Sequence, residues 1–269
     1  EPFKNLFTQG MVCHETYKDS NGDWLFPYEI DKSSAKEPKK KSDNSQIFIG
    51  PSESMSKSKK NTIDPEISIK EYGADSVRWF ILSDSPPEKD IQWSDTGLIS
   101  SNKFLQKIWN LNQLIIKRID LIAEKDLEKI FENKIELFVF KIDVAINNFQ
   151  FNVAIALFYE VYRYLNEATN SKVSNKILTS SLIKIMKLML PITPHLASEC
   201  LFNLDCKELN KWPQINSSAL DNIIINMVVQ VNGKTRDVLN VKKDLNEKEI
   251  NQLVKNSLKV KKHMNDKRF

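Results

Sequence analysis

Cysteine is scarce in these 269 residues, occurring only as Cys13, Cys200 and Cys206. Cys200 and Cys206 are too few and wrongly spaced for a zinc knuckle, so structural thiols are expected, and Cys13-His14 reads as packing beside a strand. Long apolar runs are missing as well. None approaches the ~20 residues that cross a bilayer, and Glu1-Pro2-Phe3-Lys4 has no signal-peptide layout, so an intracellular, cytoplasmic protein without a membrane partner is expected. Arginine is the third shortage: of 39 basic residues only five are arginine (Arg78, Arg118, Arg163, Arg236, Arg268). A lysine-dominated surface favours contact with phosphates over planar, bidentate reading of bases.

What is present is the balance of a globular protein, with 41% hydrophobic and 28% charged residues, enough for two or three units with cores of their own. The net charge is only +4, but it is uneven. Residues 32–60 and 242–269 each carry a surplus of five positive charges around a net acidic remainder. Basic ends of this kind fit contact with a polyanion at two separated places, and ordinary solubilising charge is the plain alternative.

Four regions separate by composition. Glu15 to Gln46 is polar, with an Asn21-Gly22 turn signal and a lysine-rich run without apolar periodicity, and reads as a surface insertion. A strand-like Ile47-Phe48-Ile49-Gly50 leads into Ser54-Met55-Ser56-Lys57-Ser58, followed by Lys59-Lys60-Asn61. A lysine between serines suits phosphate oxygens. Composition alone leaves a solvated linker equally open. Asp64 then caps a helix with Pro65 in its first turn, Gly73 breaks it, and Ser76 to Leu82 restarts an apolar one. Trp79 and Trp93 read as core anchors.

Apolar residues then recur at helical spacing from 98 to about 203: Phe104, Leu105, Ile108, Trp109, Leu111 and Ile115; Leu127, Ile130, Phe131, Leu137, Phe138 and Val144; Val153, Leu157, Tyr159, Val161 and Leu165. A fourth helix must stop at Pro191, and Thr193 is expected to cap a fifth. The spacing predicts an antiparallel helical bundle. After Trp212-Pro213 and a polar linker, Met227–Val231, an Asn232-Gly233 turn and Lys234–Val241 predict a hairpin. An amphipathic helix with Ile250, Leu253, Val254 and Leu258 on one face follows.

The order of these blocks resembles a known family. Ser54 to Ser58 is similar to the KMSKS signature of class I aminoacyl-tRNA synthetases, with Ser54 standing where the signature's first lysine would be. Glu1 to Val12, Tyr72 to Arg78, and Ser85 to Asp95 resemble the leucyl-tRNA synthetases of bacterial type, and Leu190 to Glu199 resembles the last-helix motif of the class I anticodon-binding bundle. The resemblance implies a mainly α chain: the end of a Rossmann-type catalytic domain over 1–97 with the polar insertion at about 15–46, an anticodon-binding bundle over 98–213, and a truncated C-terminal tRNA-contacting α+β module over 222–269. It assigns Lys57 as the catalytic cation, Met55, Ser56, Lys57 and Ser58 to ATP, and Lys59, Lys60, Arg78, Lys234 and Arg236 to tRNA. His195 is expected to be a structural hydrogen-bonder.

The implied partners are ATP with Mg2+, leucine and tRNA(Leu), acting on a monomer. The chemistry implied is activation of leucine to leucyl-adenylate and its transfer to tRNA. The chain starts without methionine, so a piece of a longer protein is expected, inactive alone, with the first class I signature and the amino-acid pocket upstream and a final strand missing downstream. Isoleucyl-, valyl- or methionyl-tRNA synthetase and a non-catalytic RNA-binding helical protein are the competing readings.

Overall fold

The computed structural model describes residues 6–32, 38–209, 211–216, 224–231, 233–242 and 247–263. Strand β1 (Val12–Lys18) is the centre of the first sheet. It pairs antiparallel with β2 (Trp24–Leu25) and with β5 (Phe48–Ser54), and parallel with β6 (Ile91–Gln92). Three blocks far apart in sequence therefore meet along one strand. Gly10 makes the approach possible: its N–H donates to Pro87 O at 2.8 Å, and a Cβ there would lie 2.1 Å from Lys89 O.

The described residues of the polar stretch from Glu15 to Gln46 hold more regular structure than their composition implies. Glu15–Lys18 belongs to β1, and the two-residue strands β3 (Ile30–Asp31) and β4 (Lys39–Lys40) pair with each other. Tyr17, Leu25, Ile30 and Ile47 close a small core of their own. Strands of two residues are too short to display a period of two, which is why alternation is not visible there. The Asn21-Gly22 turn forms as expected, Asp19 Oδ1 accepting from the N–H groups of Asn21 and Asp23, both at 3.0 Å.

Helices α1 (Pro65–Tyr72) and α2 (Ala74–Ser83) are joined by Gly73 at φ +81°. Asp64 caps α1 by accepting from Glu66 N–H at 2.9 Å. The large core lies among α2, α3 (Asp95–Lys117), α4 (Lys125–Asn147), α5 (Phe151–Ala168), α6 (Asn175–Met189) and α7 (Pro194–Asn203). The chain turns back from α4 into α5 through Phe149 at φ +58°, with Gln150 N–H donating to Ala145 O.

Two stripes are phased differently from expectation. In α4 the buried face is Phe131, Ile135, Phe138, Val139 and Ile142, whereas Ile130 is 63% exposed and Val144 also faces solvent. Val153 and Tyr159 are likewise exposed on α5, whose core face is Ala154, Ile155, Phe158, Val161 and Leu165. Apolar residues one position apart lie about 100° apart on a helix, so a residue at the margin of the stripe can face solvent beside a buried neighbour.

Helix α6 ends at Met189, before Pro191 as expected, and Thr193 stands at the N-cap position of α7 as expected, but its side chain makes no capping bond. The Thr193 hydroxyl points back to Met189 O at 3.5 Å, and the open N–H of Leu196 donates to Asp75 Oδ2 at 2.7 Å. Asp75 Oδ1 also meets His195 Nδ1 at 2.9 Å, the structural role expected of His195. Arg78, one turn along α2, donates to the carbonyls of Ile192 (2.9 Å) and Pro191 (2.6 Å). Helix α2 thus holds the α6–α7 corner from both ends, a carboxylate on the open amides and a guanidinium on the open carbonyls. Asp75→Ala, which removes a borrowed cap, is expected to lower stability by about 1–2 kcal/mol, measured by urea unfolding. A loss below about 0.3 kcal/mol would show the cap to be dispensable.

The last described unit is the hairpin of β7 (Ile224–Val231) and β8 (Lys234–Lys242) followed by α8 (Glu247–Asn256) and α9 (Leu258–Lys261). Asn232 of the expected turn lies outside the described residues. The expected single helix is two, because the Ser257 hydroxyl caps α9 by accepting from Val260 N–H at 3.3 Å. Val229, Val254 and Val260 form its core, while Leu253 and Leu258 are exposed.

Candidate functional site

The Ser54–Ser58 segment sits at the end of the β1–β5 ladder. Strand β5 runs through Ser54, further than Ile47–Gly50, and Ser54 pairs with Cys13. Met55 N–H donates to Val12 O at 3.0 Å, the last rung. The chain then makes a tight excursion over residues 56–60 and returns through Lys60 at φ +52°.

Asn61 closes that excursion, and sequence reasoning assigned it nothing. Its side chain is fully buried; Oδ1 accepts from Ser56 N–H at 2.8 Å, and Nδ2 lies 3.1, 3.2 and 3.4 Å from the carbonyls of Glu53, His14 and Ser54. An amide side chain offers both an acceptor and two donors, which a carboxylate or a hydroxyl of similar size does not. The available signal was an asparagine ending a lysine-rich turn. Asn61→Ala leaves these buried backbone groups unpaired and is expected to cost about 1–3 kcal/mol, measured by thermal unfolding of the complete reading-frame product, with faster hydrogen exchange at Ser56 N–H. Unchanged exchange at Ser56 would refute the staple.

The other loop side chains divide into engaged and open groups. The Ser56 hydroxyl lies 3.2 Å from that of Ser58 and accepts from Lys59 N–H at 3.3 Å, so it holds the turn. The Lys59 ammonium pairs with Glu53, and Lys60 Nζ lies 5.4 Å from the centroid of the Phe26 ring. Lys57 differs: its ammonium is exposed and has no partner among the described residues, and no hydrogen bond among them engages the N–H groups of Lys57 and Ser58. An open ammonium beside two consecutive open amides is the donor set of an anion site.

His14, under the loop, is buried and packs edge-on to Tyr17 at 5.9 Å. Burial lowers its pKa below the ordinary histidine value, so it stays neutral and packs, as expected. Cys200 is fully buried and its thiol is pushed up to about 12 by burial. Among the described residues no group of three or more His, Cys, Asp or Glu is placed to hold a metal, and no helix is long and apolar enough to cross a membrane.

The remaining candidates lie apart from the loop. Arg78 is exposed but bonded to the α6–α7 corner, Lys234 is exposed on the hairpin, and Arg236 Nη1 lies 3.5 Å from His263 Nε2. Trp79 is fully buried, and Trp93 is half-buried with its ring edge-on to Phe80 at 5.4 Å.

Residues 45–94 match the family model for tRNA synthetases class I (I, L, M and V), and residues 128–252 match that for the anticodon-binding domain of tRNA ligase. The chain belongs to the class I aminoacyl-tRNA synthetases. Within that class it falls among the leucine–tRNA ligases. It is 36% identical over 267 residues to the leucine–tRNA ligase of Wolbachia pipientis subsp. Culex pipiens, covering 97% of this chain and 32% of the relative. It is 38% identical over 272 residues to that of Rickettsia canadensis, covering 98% and 32%. A crystal structure of Agrobacterium radiobacter K84 agnB2 LeuRS in a ternary complex with tRNA and LeuAMS aligns with a TM-score of 0.65 at 25% identity, over 100% of this chain and 31% of that one. The chain thus spans about a third of the length of the relatives it matches.

Proposed function

We propose that this chain supplies the ATP loop and the tRNA-binding parts of a leucine–tRNA ligase, whose whole activity is activation of leucine by ATP and transfer of the leucyl group to tRNA(Leu). The observation that carries this is Lys57, a cation without a partner among the described residues, beside two amides equally open among them, where three separate sequence blocks meet on one sheet. Attack of the leucine carboxylate on the α-phosphate expels pyrophosphate, and a positioned cation lowers the barrier by meeting the charge that develops there. Lys57 has that role. Its own N–H and that of Ser58 donate to phosphate oxygens, and Met55 and Ser56 anchor the loop. Mg2+ arrives with ATP as part of the substrate. Lys59, already paired with Glu53, contributes less charge.

In this reading residues 1–97 close the catalytic domain, 98–213 form the anticodon-binding bundle, and 222–269 form the tRNA-contacting module, within a monomer. Lys60, Lys234 and Arg236 face tRNA phosphates, whereas Arg78 acts by holding the bundle against α2. Leucine-dependent ATP–pyrophosphate exchange by the complete reading-frame product tests the assignment. Exchange stimulated mainly by leucine supports it, and stimulation by isoleucine, valine or methionine moves it to a sister enzyme. No exchange in a folded product leaves a non-catalytic RNA-binding role. The isolated chain is expected to show no exchange.

A further inference from the structure

Away from the loop, an open cleft of about 700 Å³ lies between α6 and the segment following α7. That volume is in the range of small-molecule sites. Lys184, Lys187, Lys211, Glu208 and Trp212 contribute to its walls. Lys184 is ion-paired with Glu136, and Lys211 Nζ lies 2.7 Å from Glu208 Oε1. Lys187 is only 9% exposed, and among the described residues no hydrogen bond or ion pair engages its ammonium. The C-terminal end of α6 favours a cation at this position but supplies it no counter-charge. Glu208 in the same walls feels the Lys187 charge only through space, and its pKa is held down first by its contact with Lys211. A nearly buried ammonium thus opens into the cleft with no direct anion contact, which is an incomplete arrangement.

The cleft also has an aromatic wall. Trp212 is 43% exposed, and its Nε1–H donates to Asp143 Oδ1 at 2.7 Å, which fixes the ring while leaving it open. A fixed indole beside three lysines, one of which has no direct carboxylate contact, suits an anion carrying a flat ring, since stacking on an aromatic face and phosphate contact are the two elements of sequence-tolerant nucleotide binding. We propose that this cleft binds a phosphate-bearing nucleotide, with Lys187 on the phosphate and Trp212 against the base. The nucleotide is either part of an RNA chain or free. Its chemistry rests on the cleft alone, and only the RNA source rests on the ligase reading.

Two measurements on the complete reading-frame product separate the sources. Binding of a tRNA(Leu) transcript is measured across a salt series for the unsubstituted protein and Lys187→Gln, and 8-azidoadenosine 5′-monophosphate is photo-crosslinked to both with the modified residues mapped. An RNA source predicts about tenfold weaker tRNA binding for Lys187→Gln and a logarithmic salt slope reduced by about one. A free nucleotide predicts a crosslink in the segment around Trp212, lost in Lys187→Gln, with tRNA binding unchanged. Neither effect overturns the proposal. Lys187→Met, which removes a nearly buried charge with no direct partner among the described residues, is expected to leave the melting temperature equal or higher. A lower melting temperature with unaltered binding would reduce Lys187 to a helix-end cation. Leucine-dependent exchange by the unsubstituted product tests the ligase reading separately, so either can fail alone.

Discussion

Lys57→Ala in the complete reading-frame product is expected to cut leucine-dependent pyrophosphate exchange by about 10²–10³-fold, the effect of removing one positioned group that stabilises transition-state charge. The dissociation constant of ATP should change by less than about tenfold. The difference follows from the geometry around the residue. Lys57 is exposed at the tip of a turn whose base is fixed by Asn61, and neither its ammonium nor its N–H is committed within the described residues. A cation on a short, anchored turn gains most from meeting charge that appears only as pyrophosphate departs, and little from the ATP ground state. Exchange kinetics and equilibrium ATP binding measured together decide the point. Equal losses in both would show uniform ground-state binding, and Lys57 would then be an ATP contact alone. Lys59→Ala supplies the contrast. Its ammonium already faces Glu53, so its removal should change the rate by less than about tenfold, in keeping with the small worth of a half-exposed ion pair.

Lys57 was legible in the sequence, and the turn that presents it was not. A lysine between serines suits phosphate oxygens and made Lys57 a candidate, with a solvated linker equally open until its surroundings narrowed the family. Asn61 carries no such mark, because its importance arises from three carbonyls that meet only when β5 has paired with β1. The same division holds in the bundle. Periodicity identified α3 to α6, yet it misphased Ile130 and Val144, since an apolar residue at the margin of a stripe reads like one at its centre. Thr193 takes the N-cap position of α7 that local rules gave it, but the capping bond comes from Asp75, which those rules do not see because it arrives from more than a hundred residues away. The scarcity of arginine also has a structural side. Arg118 spends its guanidinium on the carbonyls of Thr169, Ser171 and Val173 and on Asn175 Oδ1 at 2.5–3.0 Å, and Arg78 is similarly engaged with the α6–α7 corner. Forked, planar donors are used here where several carbonyls converge, which a lysine cannot match.

Trp79→Ala is expected to destabilise the chain by about 3–5 kcal/mol, the range for emptying a fully buried aromatic site. Trp79 lies on α2 and packs against Phe104 of α3 at 5.3 Å and Phe158 of α5 at 5.9 Å, with its Nε1–H 3.3 Å from the Tyr159 hydroxyl. Three helices would face the void, and each is fixed by other contacts, so collapse around it is restricted. Trp79→Phe should recover more than half of the loss, because it restores most of the ring volume and forfeits one long hydrogen bond. Urea unfolding of both variants measures the pair, and a loss below about 1 kcal/mol for Trp79→Ala would mean that α2 is not anchored through this residue. The consequence extends to coupling. Asp75, Arg78 and Trp79 share α2, which follows the loop through α1, so loosening the helix frees the α6–α7 corner and the loop from each other. Under the proposed function, in which the loop serves activation and the bundle serves tRNA, transfer to tRNA should then fall further than pyrophosphate exchange. Equal losses in the two reactions would place the effect of Trp79 in stability alone.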